Sequence, residues 1–157
     1  MGIVSHEQED VVEREVRIEA RPETIFGFFT DPAKMVLWKG IDASLDAQPG
    51  GIFRVSINGR DIARGEYVEV VPYKRVVFTW GWEGEGQAVP PGSSQVEITL
   101  TPDGNGTIVR LRHLGLPSEQ REQHAMGWEH FLPRLAEAAA GRDPGPDPWA
   151  GQAGMGG

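Results

Sequence analysis

Between Ala43 and Leu114 the chain is a succession of short apolar-polar alternations separated by turn sequences, and this pattern restricts the fold more than any other feature. Residues 43–47 end at Pro49-Gly50-Gly51, and residues 52–57 end at Asn58-Gly59. Residues 61–70 close at Pro72, and residues 74–82 are rich in β-branched and aromatic side chains. A Gly/Pro-rich loop over 83–92 follows. Residues 95–101 then lead through Asp103-Gly104-Asn105-Gly106 into residues 107–114. Period-2 alternation marks half-buried strands, and Asn-Gly or Asp-Gly supplies the positive φ that tight hairpins need. Six strands joined in this way form an antiparallel meander.

The flanks complete the architecture. Residues 11–20 alternate, with Val12, Val16, Ile18 and Ala20 on one parity and Glu13, Glu15, Arg17 and Glu19 on the other. Arg14 interrupts the apolar parity. Pro22 suits the first position of a helix, with Glu23 in its first turn and Ile25, Phe26, Phe28 and Phe29 as its apolar face. Asp31 can cap a second short helix starting at Pro32, which carries Met35, Leu37 and Trp38. The last helix is expected from a Ser118 cap to about Ala140, stopping at Gly141. Its stripe is Ala125, Trp128, Phe131, Leu132, Leu135 and Ala139. Pro133 inside it predicts a kink near Glu129. The helices do not alternate with the strands, so they are not parallel-sheet crossovers. The expected fold is α+β of the helix-grip type. A curved antiparallel sheet of about seven strands wraps the long C-terminal helix, with two short helices after the first strand.

Three segments follow: a polar arm over 1–10, one domain over 11–141 and a Pro/Gly-rich tail over 142–157. Trp149 is a candidate to fold back onto the domain. A chain of 157 residues is one domain on size. With no cysteine, disulfides and thiolate chemistry are excluded. A formal charge of −8 and a pI near 5 disfavour nucleic acid and anionic membrane. The polar start lacks a signal core, and no apolar run reaches the ~20 residues of a membrane span, so a cytoplasmic protein is expected.

The element order and several local sequences resemble the SRPBCC (START-like, birch-pollen-allergen-like) superfamily. Its branch named after the activator of the ninety-kilodalton heat-shock chaperone ATPase is the closer likeness. The residues that carry it are Phe29-Thr30-Asp31-Pro32 with Trp38, Pro49-Gly50-Gly51-Ile52-Phe53 and Gly65-Glu66-Tyr67-Val68-Glu69-Val70. Phe78-Thr79-Trp80 and Gly127-Trp128 add to them. The resemblance spans about Val11 to Ala140 and implies an internal cavity for a hydrophobic ligand.

Lining for such a cavity is expected from Val16, Phe26, Met35, Trp38, Phe53, Val55, Trp80, Ile98, Val109, Leu111, Trp128, Phe131 and Leu132. His113 and Arg14 are its polar members. Trp82 joins the aromatic set that should converge under the last helix, although strand parity over 78–82 is ambiguous because both faces carry apolar residues. His113 lies on an apolar parity, where it can bond a ligand, bond backbone, or act as acid or base. Arg14 needs a partner, either an internal carboxylate or a ligand carboxylate. His124 and His130 point about 240° apart on a helix and cannot chelate together. With His6 in the arm, no metal site and no cofactor is expected.

The functional expectation is a module that binds a small apolar molecule. Two alternatives are a cyclase or dehydratase on a polyketide-like or aromatic substrate, with His113 and Arg14 as candidate catalytic residues, and a co-chaperone stimulating a heat-shock ATPase. Self-association into a homodimer is left open.

Overall fold

The computed structural model describes residues 3–5 and 11–151. His6 and the glycine-rich end beyond 151 lie outside the described residues. The strands are β1 (Ile3–Ser5), β2 (Val11–Ile18), β3 (Asp42–Leu45), β4 (Ile52–Ser56), β5 (Ile62–Val71), β6 (Arg75–Trp80), β7 (Ser94–Asp103) and β8 (Gly106–Leu114). The helices are α1 (Pro22–Thr30), α2 (Pro32–Met35) and α3 (Ser118–Ala139), followed by a 3-10 turn over Pro148–Gly151.

All neighbouring strands are antiparallel, in the order β1-β2-β8-β7-β6-β5-β4-β3. β3 to β8 are the six-stranded meander, and β2 closes onto its far end against β8. The additional strand β1 falls within the polar arm and pairs with β2 at the edge. α1 and α2 therefore link β2, near one edge, to β3, at the other. α3 packs against β2 and also meets α1, so both helices lie on one face of the sheet.

Alternation places the core. Val76, Phe78 and Trp80 of β6 are buried on the inner parity, and Trp82 continues it through an isolated bridge to Ala63. The inner parity of β8 is Val109, Leu111 and His113. The outer face is charged: Arg110 pairs with Glu13 at 3.2 Å and Glu15 at 3.4 Å, and Arg112 pairs with Glu97 at 3.2 Å. One hydrogen bond fastens the helical segment to the inner face and one closes the segment on itself. Tyr67 Oη donates to the Phe29 carbonyl (2.7 Å), and Trp38 Nε1 donates to the Phe28 carbonyl (3.0 Å).

Asp31 caps α2 by accepting from the Ala33 amide (2.9 Å). The cap of α3 differs from expectation: Pro117 occupies the N-cap position and makes no side-chain cap bond. Ser118 is already helical, and its hydroxyl donates to Glu119 (2.6 Å). The extended backbone that Pro117 adopts, φ −58° and ψ 149°, starts the helix without a side-chain acceptor. Gly141 (φ +85°) ends it in a Schellman arrangement, with Gly141 N donating to Ala138 O and Arg142 N to Glu137 O. The helix is unbroken past Pro133, which sits on the exposed face where water can satisfy the freed Glu129 carbonyl. Beyond it the chain returns, and Trp149 stacks on His130 with ring centroids 3.9 Å apart.

Trp128 is 2% exposed and Met126, on the opposite face of α3, 59%. Trp128→Ala is expected to lower stability by about 3–5 kcal/mol, the range for a buried aromatic. Met126→Ala should stay within about 0.5 kcal/mol of wild type. Urea denaturation of the two variants checks this; equal midpoints would contradict the packing of α3.

Candidate functional site

Four elements bring an unusual set of polar aromatic side chains into one buried cluster. β6 contributes Trp80, its extension Trp82, β8 His113, and α3 His124 and Trp128. Ring centroids are 5.3 Å apart for Trp80 and Trp128, 5.4 Å for Trp80 and Trp82, and 5.5 Å for His113 and His124.

The hydrogen bonds fix the protonation of both imidazoles, because an indole N–H only donates. Trp128 Nε1 donates to His113 Nδ1 (3.0 Å), so the His113 proton resides on Nε2. From there it faces Ser94 Oγ (2.9 Å), and Ser94 donates onward to the Trp80 carbonyl (2.9 Å). Trp82 Nε1 donates to His124 Nε2 (3.0 Å), leaving His124 Nδ1 to donate to the Gln120 carbonyl (2.8 Å). Both rings are neutral acceptors. Burial pushes His113 well below the ordinary histidine value, with the neighbouring His124 and Lys39 adding to the shift. Burial lowers His124 as well, against the opposing pull of the Gln120 carbonyl.

Lys39 enters this cluster from the turn after α2. It is 2% exposed, and its Nζ lies 3.6 Å from the Phe131 ring centroid, 4.8 Å from Trp128 and 5.2 Å from Trp80. Among the described residues no hydrogen-bond partner reaches that nitrogen. Desolvation lowers its pKa to about 7, only partly offset by the Asp147 carboxylate. Trp80 Nε1 is also buried without a partner among the described residues.

The cluster approaches the surface beside Trp82 and His124. A cleft of about 340 Å³ is lined by Asp61, Trp82, Gln87, Ala88, Val89, Gln120, Gln123 and His124. Its inner wall is thus the Trp82–His124 pair. Loop 83–92 forms its outer side and is held by Glu83, whose carboxylate takes a two-point contact from Arg54 (2.8 and 3.2 Å). At the root of the loop, Trp82 N donates to the Val89 carbonyl (2.8 Å). The strand ends pass so closely there that a Cβ on Gly81 would lie 1.8 Å from the Pro90 carbonyl oxygen.

Among the residues expected from sequence, Trp80, His113 and Trp128 meet in the cluster. Phe53 lies beside them, stacked on Phe78 at 4.0 Å and 6.0 Å from Trp80. Trp38 and Phe131 face each other at 6.5 Å. Val16, Met35, Val55, Ile98, Val109, Leu111 and Leu132 are buried in the same apolar core. Phe26 is only partly buried and sits edge-on to Tyr73 at 5.5 Å. Arg14 pairs with Glu129 of α3, Nη2 to Oε2 2.9 Å, and donates to the Glu13 carbonyl (2.8 Å). Sequence reasoning passed over Lys39, Ser94 and the buried role of His124. His124 stands one turn before Trp128 on the α3 stripe, a signal that could have found it. A lysine beside a tryptophan carries no such signal, since lysine is ordinarily exposed.

An antiparallel sheet gripping a C-terminal helix around an aromatic interior defines a protein of the SRPBCC superfamily. Residues 19–140 match the family of activator of Hsp90 ATPase homolog 1-like (AHSA1-like) proteins, and the chain belongs to that family. Among curated proteins, none matches it. An AHSA1-like protein of Rhizobium etli, known from a solution NMR structure, is 48% identical over 90% of this chain and 89% of its own, with a TM-score of 0.70. DynU16, from the dynemicin biosynthetic locus, is 28% identical over 89% of this chain with a TM-score of 0.75. The match spans 51% of the DynU16 chain, about half its length. The Aha1 dimer of Colwellia psychrerythraea shares the fold at 21% identity, covering 84% of this chain and 97% of that one, with a TM-score of 0.72. Among the described residues no helix is long and apolar enough to cross a membrane.

The three depressed groups give one sign to the pH dependence of stability. Each holds its proton less tightly folded than unfolded, so acidification favours the unfolded chain. For Lys39 the loss accumulates as pH falls from 10.5 to about 7 and is complete below that. His113 and His124 add to it as pH falls below 6.5. Lys39→Met is therefore expected to stabilise the protein by roughly 2–4 kcal/mol at pH 6 and by less than about 1 kcal/mol at pH 10. Urea titrations at the two pH values measure this, and an equal gain at both would show that Lys39 carries no depressed pKa.

Proposed function

We propose that this protein binds a small, flat, predominantly apolar molecule, admitted through the cleft beside Trp82 and His124 into the aromatic cluster. The supporting observation is that this pair is at once the inner wall of the cleft and the outer rank of the buried indole-imidazole array. Ligand sites pair apolar and aromatic walls with a few placed polar groups, which is the composition here. AHSA1-like membership and the likeness to a protein of the dynemicin locus support a ligand-binding role. Admission requires Trp82 to part from His124, breaking one hydrogen bond at the mouth while the sheet stays in place.

Binding is favoured over acid-base catalysis by His113. Both of its ring nitrogens are engaged, one accepting from Trp128 and the other facing Ser94, and its proton affinity is low. A general acid or base needs a pKa near the working pH and a free path to substrate. Arg14 is committed to Glu129 and to backbone.

The neutral fluorophore N-phenyl-1-naphthylamine tests this reading. Saturable binding in the micromolar range, with a shift of tryptophan emission, is expected. Trp82→Ala should change the affinity by about tenfold, and Trp128→Phe, which keeps the ring stacking but removes the donor to His113, by less. Absence of a saturable native-state site would remove the proposal.

A further inference from the structure

We infer that the ligand carries an acidic oxygen, as a carboxylate, enolate or phenolate, which accepts from Lys39 Nζ and Trp80 Nε1 at the inner end of the aromatic cluster. This rests on the ligand-binding reading above. Its own ground is the polarity of the unpaired groups. Buried polar atoms ordinarily find partners, and an orphan costs its full desolvation. The indoles of Trp82 and Trp128 are paired with imidazole nitrogens, and the Trp38 indole with a carbonyl. Among the described residues Lys39 Nζ and Trp80 Nε1 have none, and both are donors. The amine stands over the ring of Trp80, 5.2 Å from its centroid, so one of the two unpaired donors lies against the residue that carries the other. What is missing at this spot is an acceptor.

The surroundings select its chemistry further. Aromatic faces of Phe131, Trp128 and Trp80 surround the amine and give a cation partial compensation without supplying a hydrogen bond. The charged and titratable groups that act on the amine are His113 on β8, His124 on α3 and Asp147 in the returning tail. Both histidines are held neutral by their hydrogen bonds. Asp147 acts on the amine through its field and forms no ion pair with it: its Oδ1 accepts from His130 (2.8 Å) and the Trp149 amide (2.9 Å), and its Oδ2 is buried without a partner among the described residues. A carboxylate-type oxygen delivered on an aromatic body would complete the site, accepting charge-assisted hydrogen bonds while its rings replace the faces it displaces. A neutral hydrocarbon of the same shape would leave both donors unpaired.

The pair 2-naphthoate and 2-methylnaphthalene isolates this term, since the two differ in the charged oxygens. By isothermal titration at pH 8, wild type should bind 2-naphthoate about ten- to a hundredfold more tightly. The same titration in buffers of different ionisation enthalpy should show proton uptake with 2-naphthoate and none with 2-methylnaphthalene, because the anion recharges the amine. Lys39→Met should lose both the preference and the proton uptake while still binding 2-methylnaphthalene. Trp80→Phe should retain the uptake and lose part of the preference. If 2-methylnaphthalene binds and 2-naphthoate binds no better, or if the preference survives in Lys39→Met, the inference is overturned and the ligand-binding reading stands. If neither compound binds wild type, both fall. The wild-type comparison and its proton count decide the matter even if a variant fails to fold.

Discussion

Two indole-to-imidazole hydrogen bonds, Trp128 to His113 and Trp82 to His124, tie the sheet to the helix it grips. A helix lying on a sheet is usually held by apolar area alone, which is non-directional and tolerates sliding. These bonds add direction at the seam. They also set the tautomers of both histidines, and through Ser94 the first of them reaches the backbone of β6. The cost of burying imidazole is met in the neutral form, which is why both residues resist protonation. The position of α3 and the neutral form of both imidazoles thus follow from one pairing scheme.

Much of the architecture was legible because two periodicities act independently of tertiary detail. The turns at Asn58-Gly59 and Gly104-Asn105 and the parity of β7 and β8 predicted the meander, and Gly141 predicted the end of α3. The tryptophans on separate elements were also readable as a converging set. Parity at 78–82 was unreadable because Val77 is buried on the outer side, among the charged residues, so hydrophobicity there did not distinguish the faces. The Ser118 cap was misplaced because Pro117, one residue earlier, already supplies the extended entry to the helix. Lys39 was out of reach for a different reason. Its burial depends on three rings from β6 and α3 meeting around it, a relation across 41 to 92 residues that no local pattern encodes.

The interior divides into two halves of different chemistry. Toward β2, β7 and β8 the interior is largely aliphatic, with Val16, Ile98, Val109 and Leu111. Toward loop 83–92 it is aromatic and hydrogen-bonded, and an aromatic ring can be exchanged for another ring with little change in contact area. Trp82 stands at the mouth of this second half, on a segment paired to the sheet by a single bridge to Ala63. Glu83, gripped by Arg54, anchors the next residue.

The amine at the far end gives this division its direction. A buried lysine with no acceptor costs folding free energy that a methionine of similar length would avoid, and the surrounding rings recover only part of it. Such a cost is concentrated where an arriving partner can relieve it. The same charge that destabilises the empty protein would strengthen the complex with an anion, because desolvation raises the strength of any contact made there. Strain at rest and selectivity on binding are then two consequences of placing Lys39 behind Trp80 and Trp128, on the inner side of the tryptophan-histidine pair that closes the cleft.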